Sequence, residues 1–192
     1  MSYDFNLVRI PPGSHPQTVI QASLAAEEAS ELNPGESNPT KEEAKRRLVA
    51  ALQAVNPLLE AFPFNYVELA RLNNISEQEA KRRFRHVELN GPEDGNGIQI
   101  TLFDDTASIT IPYWHHGRDA EEVLRETWSY LEVLEHEEGF QAYDPQLERL
   151  LSLRMDFNAV LGKYAEGVRF TDKISADIST GSRQQKPWWR FW

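Results

Sequence analysis

Residues 97–114 read GIQITLFDDTASITIPYW. Ile98, Ile100 and Leu102 alternate with Gln99, Thr101 and Phe103. Ala107, Ile109 and Ile111 alternate with Thr106, Ser108 and Thr110. A period of two predicts strands with one buried face. A two-residue turn at Asp104-Asp105 sets Leu102 opposite Ala107, Ile100 opposite Ile109 and Ile98 opposite Ile111. Thr101–Ser108 and Gln99–Thr110 then share the other face. A slip of one residue would turn every apolar side chain the wrong way, so the register is specified.

The apolar face of this hairpin needs a cover, and the following residues supply it. Asp119 and Glu122 form a D-x-x-E variant of the capping box. Ala120, Leu124, Thr127, Leu131 and Leu134 then recur at helical spacing, with Trp128 broadening the stripe. Gly139 suits the C-terminal cap near Glu138. In GFQAYDPQ, residues Phe140, Ala142 and Tyr143 predict a short closing strand that Pro145 stops. The stretch from Gly97 to Gln146 is therefore the organising unit.

Outward from this unit, Tyr3, Phe5 and Leu7 alternate with Asp4, Asn6 and Val8 in a first strand over 2–10, stopped by Pro11-Pro12-Gly13. Thr18 to Glu31 has helical spacing with a weak apolar side, Val19, Ala22 and Ala26. NPGESNP over 33–39 reads as a loop. Thr40 and Glu43 form a T-x-x-E capping box ahead of the stripe Ala44, Leu48, Ala51, Leu52 and Val55. Asn56-Pro57 predicts the start of a further short helix, 58–61. NGPEDGNG over 90–97 reads as a turn. As a phosphate loop it lacks a following helix and places Glu93 and Asp94 against the anion. Leu147, Leu150, Leu151 and Leu153, continued by Phe157, Val160, Leu161 and Tyr164, predict a C-terminal helix with a break near Gly162 and an end at Gly167. Val168 to Phe170 reads as extended.

The elements approximate β-α-β-β-α-β. The expected fold is α+β: an antiparallel sheet of four to five strands, ferredoxin-like or related, with helices mainly on one face, a C-terminal helix and an aromatic tail. Residues 1–172 form the expected single domain, with 11–40 partly irregular. Residues 173–192 form a linker and tail.

Tyr66–Leu72 predicts a helix and Asn73-Asn74 a turn. Ser76 with Glu79 caps a second helix through Phe84. With Glu68, Leu69, Ala70, Ile75, Ser76, Ala80 and Phe84 in place, residues 66–84 resemble the helix-turn-helix of bacterial regulators. The resemblance implies a DNA contact through 66–86, with Lys81, Arg82, Arg83 and Arg85 meeting phosphates. Asn73 or Asn74 stands where the motif has its turn glycine. The competing reading is a helix pair packed on the sheet, its basic residues solvated or paired with the acidic helix 119–138.

The net charge of −10 and pI of about 5.0 argue against broad nucleic-acid or anionic-membrane binding and favour a basic partner. The chain has no cysteine, which excludes disulfides and thiolate metal sites. It shows neither a long apolar run nor a signal-peptide core, so a cytoplasmic location is expected. His115 and His116 point to opposite faces of an extended segment, and Asp104 and Asp105 lie at the other end of that strand, so no metal set converges. No hydrolase, zinc-protease, Walker or dinucleotide motif is present. No catalytic residue, metal ligand or cofactor is assigned.

The final residues, KISADISTGSRQQKPWWRFW, pass from polar to aromatic. Trp188, Trp189 and Trp192 are three of the five tryptophans. With Arg190 and Phe191 they are residue types that anchor interfaces. The alternatives are a clasp on the chain's own domain or docking on another protein. The MSYDF opening, the hairpin–helix–YDPQ run and the acidic balance make the chain resemble small acidic α+β immunity proteins of bacterial polymorphic toxin systems. That resemblance implies a non-enzymatic protein-binding module, an inhibitor that occludes a basic toxin. No binding residue is carried over from that class; the expected partner-binding residues, read from the tail's aromatic composition and the helix's charge, are Trp188, Trp189, Arg190, Phe191 and Trp192 of the tail, with Glu121, Glu132 and Glu135 of the acidic helix. A DNA-binding regulator and an enzyme of unrecognised type are the alternatives.

Overall fold

The structure, a computed structural model, describes residues 1–32, 36–92 and 95–181. Six helices and seven strands follow in the order β1 (Ser2–Val8), α1 (Pro16–Leu32), α2 (Pro39–Val55), β2 (Glu60–Ala61), α3 (Tyr66–Asn73), α4 (Glu77–Arg83), β3 (Val87–Asn90), β4 (Gln99–Leu102), β5 (Thr106–Pro112), α5 (Gly117–Glu138), β6 (Gln141–Asp144), β7 (Arg149–Leu150) and α6 (Phe157–Gly181). One antiparallel sheet carries all seven strands in the order β2-β3-β4-β5-β1-β6-β7.

The hairpin pairs in the anticipated register. Leu102 faces Ala107 and Ile100 faces Ile109, with Thr101–Ser108 and Gln99–Thr110 between them. The Phe103 N–H donates to the Thr106 carbonyl at 3.0 Å, so Asp104-Asp105 is the two-residue turn. β1 then pairs with β5 along its whole length, Ser2 with Pro112 through Val8 with Thr106. Tyr3, Phe5 and Leu7 therefore join the same inner face. The four central strands β4-β5-β1-β6, with α2 and α5 as their crossovers, form the ferredoxin-like β-α-β-β-α-β core. Short strands extend it on both sides, which takes the count from the expected four or five to seven.

The inner face, α2, α5 and α6 share one hydrophobic core. Leu48 and Leu52 reach it from α2, Leu124, Leu131 and Leu134 from α5, and Val160, Tyr164 and Val168 from α6. On the outer face Val8, Tyr143 and Ile20 of α1 make a smaller cluster. Helices therefore lie mainly, but not wholly, on one side.

Several local expectations are corrected. Asn38, not Thr40, caps α2: its side chain accepts from the Thr40 N–H, and Pro39 takes the first turn, where its missing N–H leaves no unmet bond. Asn56-Pro57 starts no helix. Asn56 closes α2, its side chain accepts from the Leu58 N–H at 2.9 Å, and β2 follows. His116 occupies the N-cap of α5 without a side-chain bond, so Asp119 lies inside the first turn as a charge at the positive end of the helix dipole. Gly139 closes α5 at φ 66, as its sequence position suggests.

At the other end of the chain, residues 147–153 form turns and β7 rather than a helix. α6 then runs unbroken through Gly162 and Gly167 to Gly181, so the expected domain boundary at 172 falls inside it. Gly167 is a packing glycine: a Cβ there would stand 2.1 Å from the Tyr113 ring. Residues 16–32 of the region expected to be partly irregular form α1, and 33–35 lie outside the described residues. On α1, Ile20 is buried, whereas Ala22 and Ala26 are exposed.

Candidate functional site

Three polar constellations organise the surface. The first lies at the hairpin tip. Lys45, 2% exposed, extends its ammonium to Asp104 Oδ1 at 3.1 Å, Glu42 Oε1 at 2.9 Å and the Arg85 carbonyl at 2.9 Å. The Arg85 guanidinium holds Asp104 Oδ2 at 2.6 Å, and Lys41 pairs with Asp105. Burial pushes the Asp104 carboxyl up, but the bonds and charges of Lys45 and Arg85 outweigh it and hold its pKa below the usual value. A carboxylate with two cations already on it is a fastener between α2, the segment joining α4 to β3, and the hairpin, not a free ligand.

The second joins Asn56, Asn96, Glu126 and Tyr130. Glu126 Oε1 accepts from the Asn56 amide at 2.9 Å and from the Tyr130 hydroxyl, and Oε2 accepts from the Asn96 amide at 2.6 Å. Burial and this carboxylate push the Tyr130 hydroxyl well above its ordinary pKa, so it stays a donor. Asn96 also caps the Ile98 N–H, and its carbonyl meets a ring nitrogen of His115 at 2.7 Å. The network fixes the loop before β4 against α5. His116 lies apart, 3.9 Å from Asp172. The two histidines therefore serve separate contacts. Among the described residues no group of three or more metal-ligating side chains converges.

The third is the α3–α4 pair, which forms as anticipated. Asn74 takes the left-handed conformation, φ 53, that a turn glycine would take, and Ser76 accepts from the Glu79 N–H at 3.1 Å. The basic residues have near neighbours. Lys81 pairs with Glu77, Arg82 and Arg83 with Glu79, and Arg85 with Asp104. Their partners are the helix's own acids and the hairpin turn, not helix 119–138. Hydrogen bonds from Arg83 and Arg82 hold the Glu79 carboxyl below its ordinary range.

Of the expected partner-binding residues, Trp188, Trp189, Arg190, Phe191 and Trp192 lie outside the described residues. Glu121, Glu132 and Glu135 sit on α5. Glu121 pairs with Arg125 at 2.5 Å, one turn on, while Glu132 and Glu135 are exposed. α5 is held rigidly beneath them by Leu131 and Leu134, both at most 1% exposed, and by the Trp128 indole N–H, which donates to the Leu153 carbonyl at 2.8 Å.

Two surfaces went unread in the sequence. Phe62, Phe64, Tyr66, Phe84, His86 and Phe103 form a chain of ring contacts with centroids 4.9–6.4 Å apart. The exposed side of α1 borders an open groove of about 490 Å³. The rings come from three separate segments, 62–66, 84–86 and Phe103, which no periodicity connects. The weakness of the apolar side of α1 was the signal for the groove.

Fold and surface together define an acidic α+β protein with an extended ferredoxin-like sheet. Compared with known proteins, the chain matches no family model, no curated protein and no solved structure. No helix among the described residues is long and apolar enough to cross a membrane.

Proposed function

We propose that this chain is a non-enzymatic protein-binding module that acts by covering a basic surface of its partner, in the manner of an immunity-type inhibitor. The observation that carries this reading is the outward row of carboxylates on α5, mounted on a helix the core holds fixed. A rigid acidic face steers a basic partner into register and raises its association rate. The charge balance supports it. Residues 182–192 hold three of the 20 basic residues and none of the 30 acidic ones, so the remaining 17 and 30 give the body −13. The aromatic residues 186–192 are the second contact in this reading, a docking segment that engages another protein chain.

The test is affinity capture from the native host with three baits: the full chain, the double reversal Glu132→Lys/Glu135→Lys, and the chain lacking 186–192. The expected result is one basic protein, held by the full chain, released by moderate salt and lost from both variants. Equal capture by all three baits contradicts the reading. A second reading, DNA binding through 66–86, draws on the helix-turn-helix geometry around Asn74. The acids beside all four basic residues weigh against it.

A further inference from the structure

α1 carries an open groove on its exposed side. α1 buries Ile20 against Val8 and Tyr143 but leaves Thr18, Ala22 and Ala26 exposed and Val19 half-buried beside the open groove. The groove, of about 490 Å³, is open to solvent and mainly apolar, so it offers a surface on which a flat ring can lie. α1 is also one-sided in charge. Pro16–Leu32 contains Glu27, Glu28 and Glu31 and no lysine or arginine. A ligand with flat apolar rings and positive charge satisfies both needs. Residues 182–192 carry Trp188, Trp189, Phe191 and Trp192 with Arg183, Lys186 and Arg190, and no acid.

The geometry decides whose tail it is. Ile20 rests on Val8, at the end of β1 beside Thr106. α6 runs the other way. Phe157 touches Trp128, Tyr164 donates to the Pro112 carbonyl at 2.5 Å, and Asp172 lies beside His116, beyond the opposite end of the sheet. β1 spans about 20 Å between those ends. From Asp172 to Gly181, α6 rises a further 14 Å or so. Continued in that direction, Gly181 lies about 34 Å along this axis from the Val8 end of β1, where Ile20 rests. The seven residues 182–188 reach at most about 25 Å when fully extended. Trp188 of the same copy falls short of that end of the sheet, and Trp192 arrives only if the whole segment is pulled straight, at a large loss of conformational freedom.

We infer that the tail of one copy docks in the α1 groove of a second copy. This rests on the reading of 186–192 as a docking segment and adds its acceptor. The contact joins two different surfaces, so it is head-to-tail and propagates into a ring or an open chain. With tail and groove both satisfied in the assembly, a protein partner on the acidic face of α5 meets a multivalent surface.

The experiment uses two complementary full-length variants and one truncation. Ala22→Arg places a long cation in the groove at an exposed site, so the fold tolerates it; circular dichroism checks this. By sedimentation velocity, the unaltered chain is expected to associate with rising concentration. Ala22→Arg alone and the chain lacking 182–192 alone stay monomeric, and an equimolar mixture of the two forms a one-to-one pair, because one offers the tail and the other the groove. A fluorescently labelled peptide of residues 182–192 binds the truncated chain, and Ala22→Arg in that chain weakens it at least tenfold. A monomeric unaltered chain overturns the inference, as does association that survives Ala22→Arg. Equal peptide binding to both chains overturns the groove alone and leaves the docking segment standing. No peptide binding, with association unchanged by truncation, removes both.

Discussion

Replacing Ile100 by aspartate tests the sheet register most severely. Ile100 is fully buried opposite Ile109. Deleting a buried side chain of this size costs about 2–5 kcal/mol. Full burial raises an acid's pKa by about 3–5 units, so the new carboxyl stays neutral, and protonating an acid of ordinary pKa about 3.9 at pH 7 adds about 4 kcal/mol. The sum is comparable with the roughly 5–15 kcal/mol that holds a domain together. Thr101→Asp, one residue on, meets the opposite face, between Ser108 and Glu88. There the penalty is cross-strand like-charge repulsion with Glu88, about 0.2–1 kcal/mol. Urea unfolding followed by circular dichroism separates the two. With a slope of about 2 kcal/mol per molar, Thr101→Asp moves the midpoint by about 0.5 M or less, and Thr101→Lys reverses the shift. Ile100→Asp shows no cooperative native transition. Equal, large losses at both positions would refute the register and the single-sided core.

The hairpin fastener predicts an acid response. Asp104 has a folded pKa below its unfolded value, so its contribution is present above about pH 4 and is lost as pH falls through the folded pKa. Urea midpoints measured from pH 6 to pH 3 should fall less steeply in Asp104→Asn than in the unaltered chain; parallel slopes contradict the pairing. Asn74, at φ 53, predicts that Asn74→Ala costs about 1–2 kcal/mol while Asn74→Gly costs nothing, measured by thermal melting; equal losses would show that the left-handed turn is not what matters there. For α3–α4, mobility-shift titrations are expected to show no salt-sensitive binding to duplex DNA. A tight, sequence-selective shift lost in Arg82→Ala would restore the regulator reading.

Where periodicity is long and one-sided, the sequence was legible. Seven residues of β1, the two strands of the hairpin and six of the eight buried positions of α5, all but Val123 and Tyr130, each repeat the core pattern several times, and the ferredoxin-like centre follows from them. β2 and β7 have two residues each, too few to show a period, so the sheet came out two strands short. Glycine was misread where it serves packing rather than chain reversal. Gly167 looks like a helix stop, yet it continues α6 because the Tyr113 ring lies where a side chain would go. Caps were misplaced where two competent residues lie close together, as with Asn38 and Thr40. The acidic face of α5 was readable from composition along a helix. The α1 groove left only the weak apolar side of that helix as a signal, because a stripe of alanine and serine looks much the same whether it is buried or open.

The central claim is that residues 186–192 serve another chain rather than their own core. Melting and light scattering on the chain lacking these residues test it directly. The account predicts a melting temperature unchanged within about 2 °C, since less than 1 kcal/mol of intramolecular packing is lost, together with loss of association. A clasp on the chain's own body predicts the reverse. Losing about 2–3 kcal/mol of tryptophan burial would lower the melting temperature by about 5–10 °C, with association unchanged, and that result would contradict the claim.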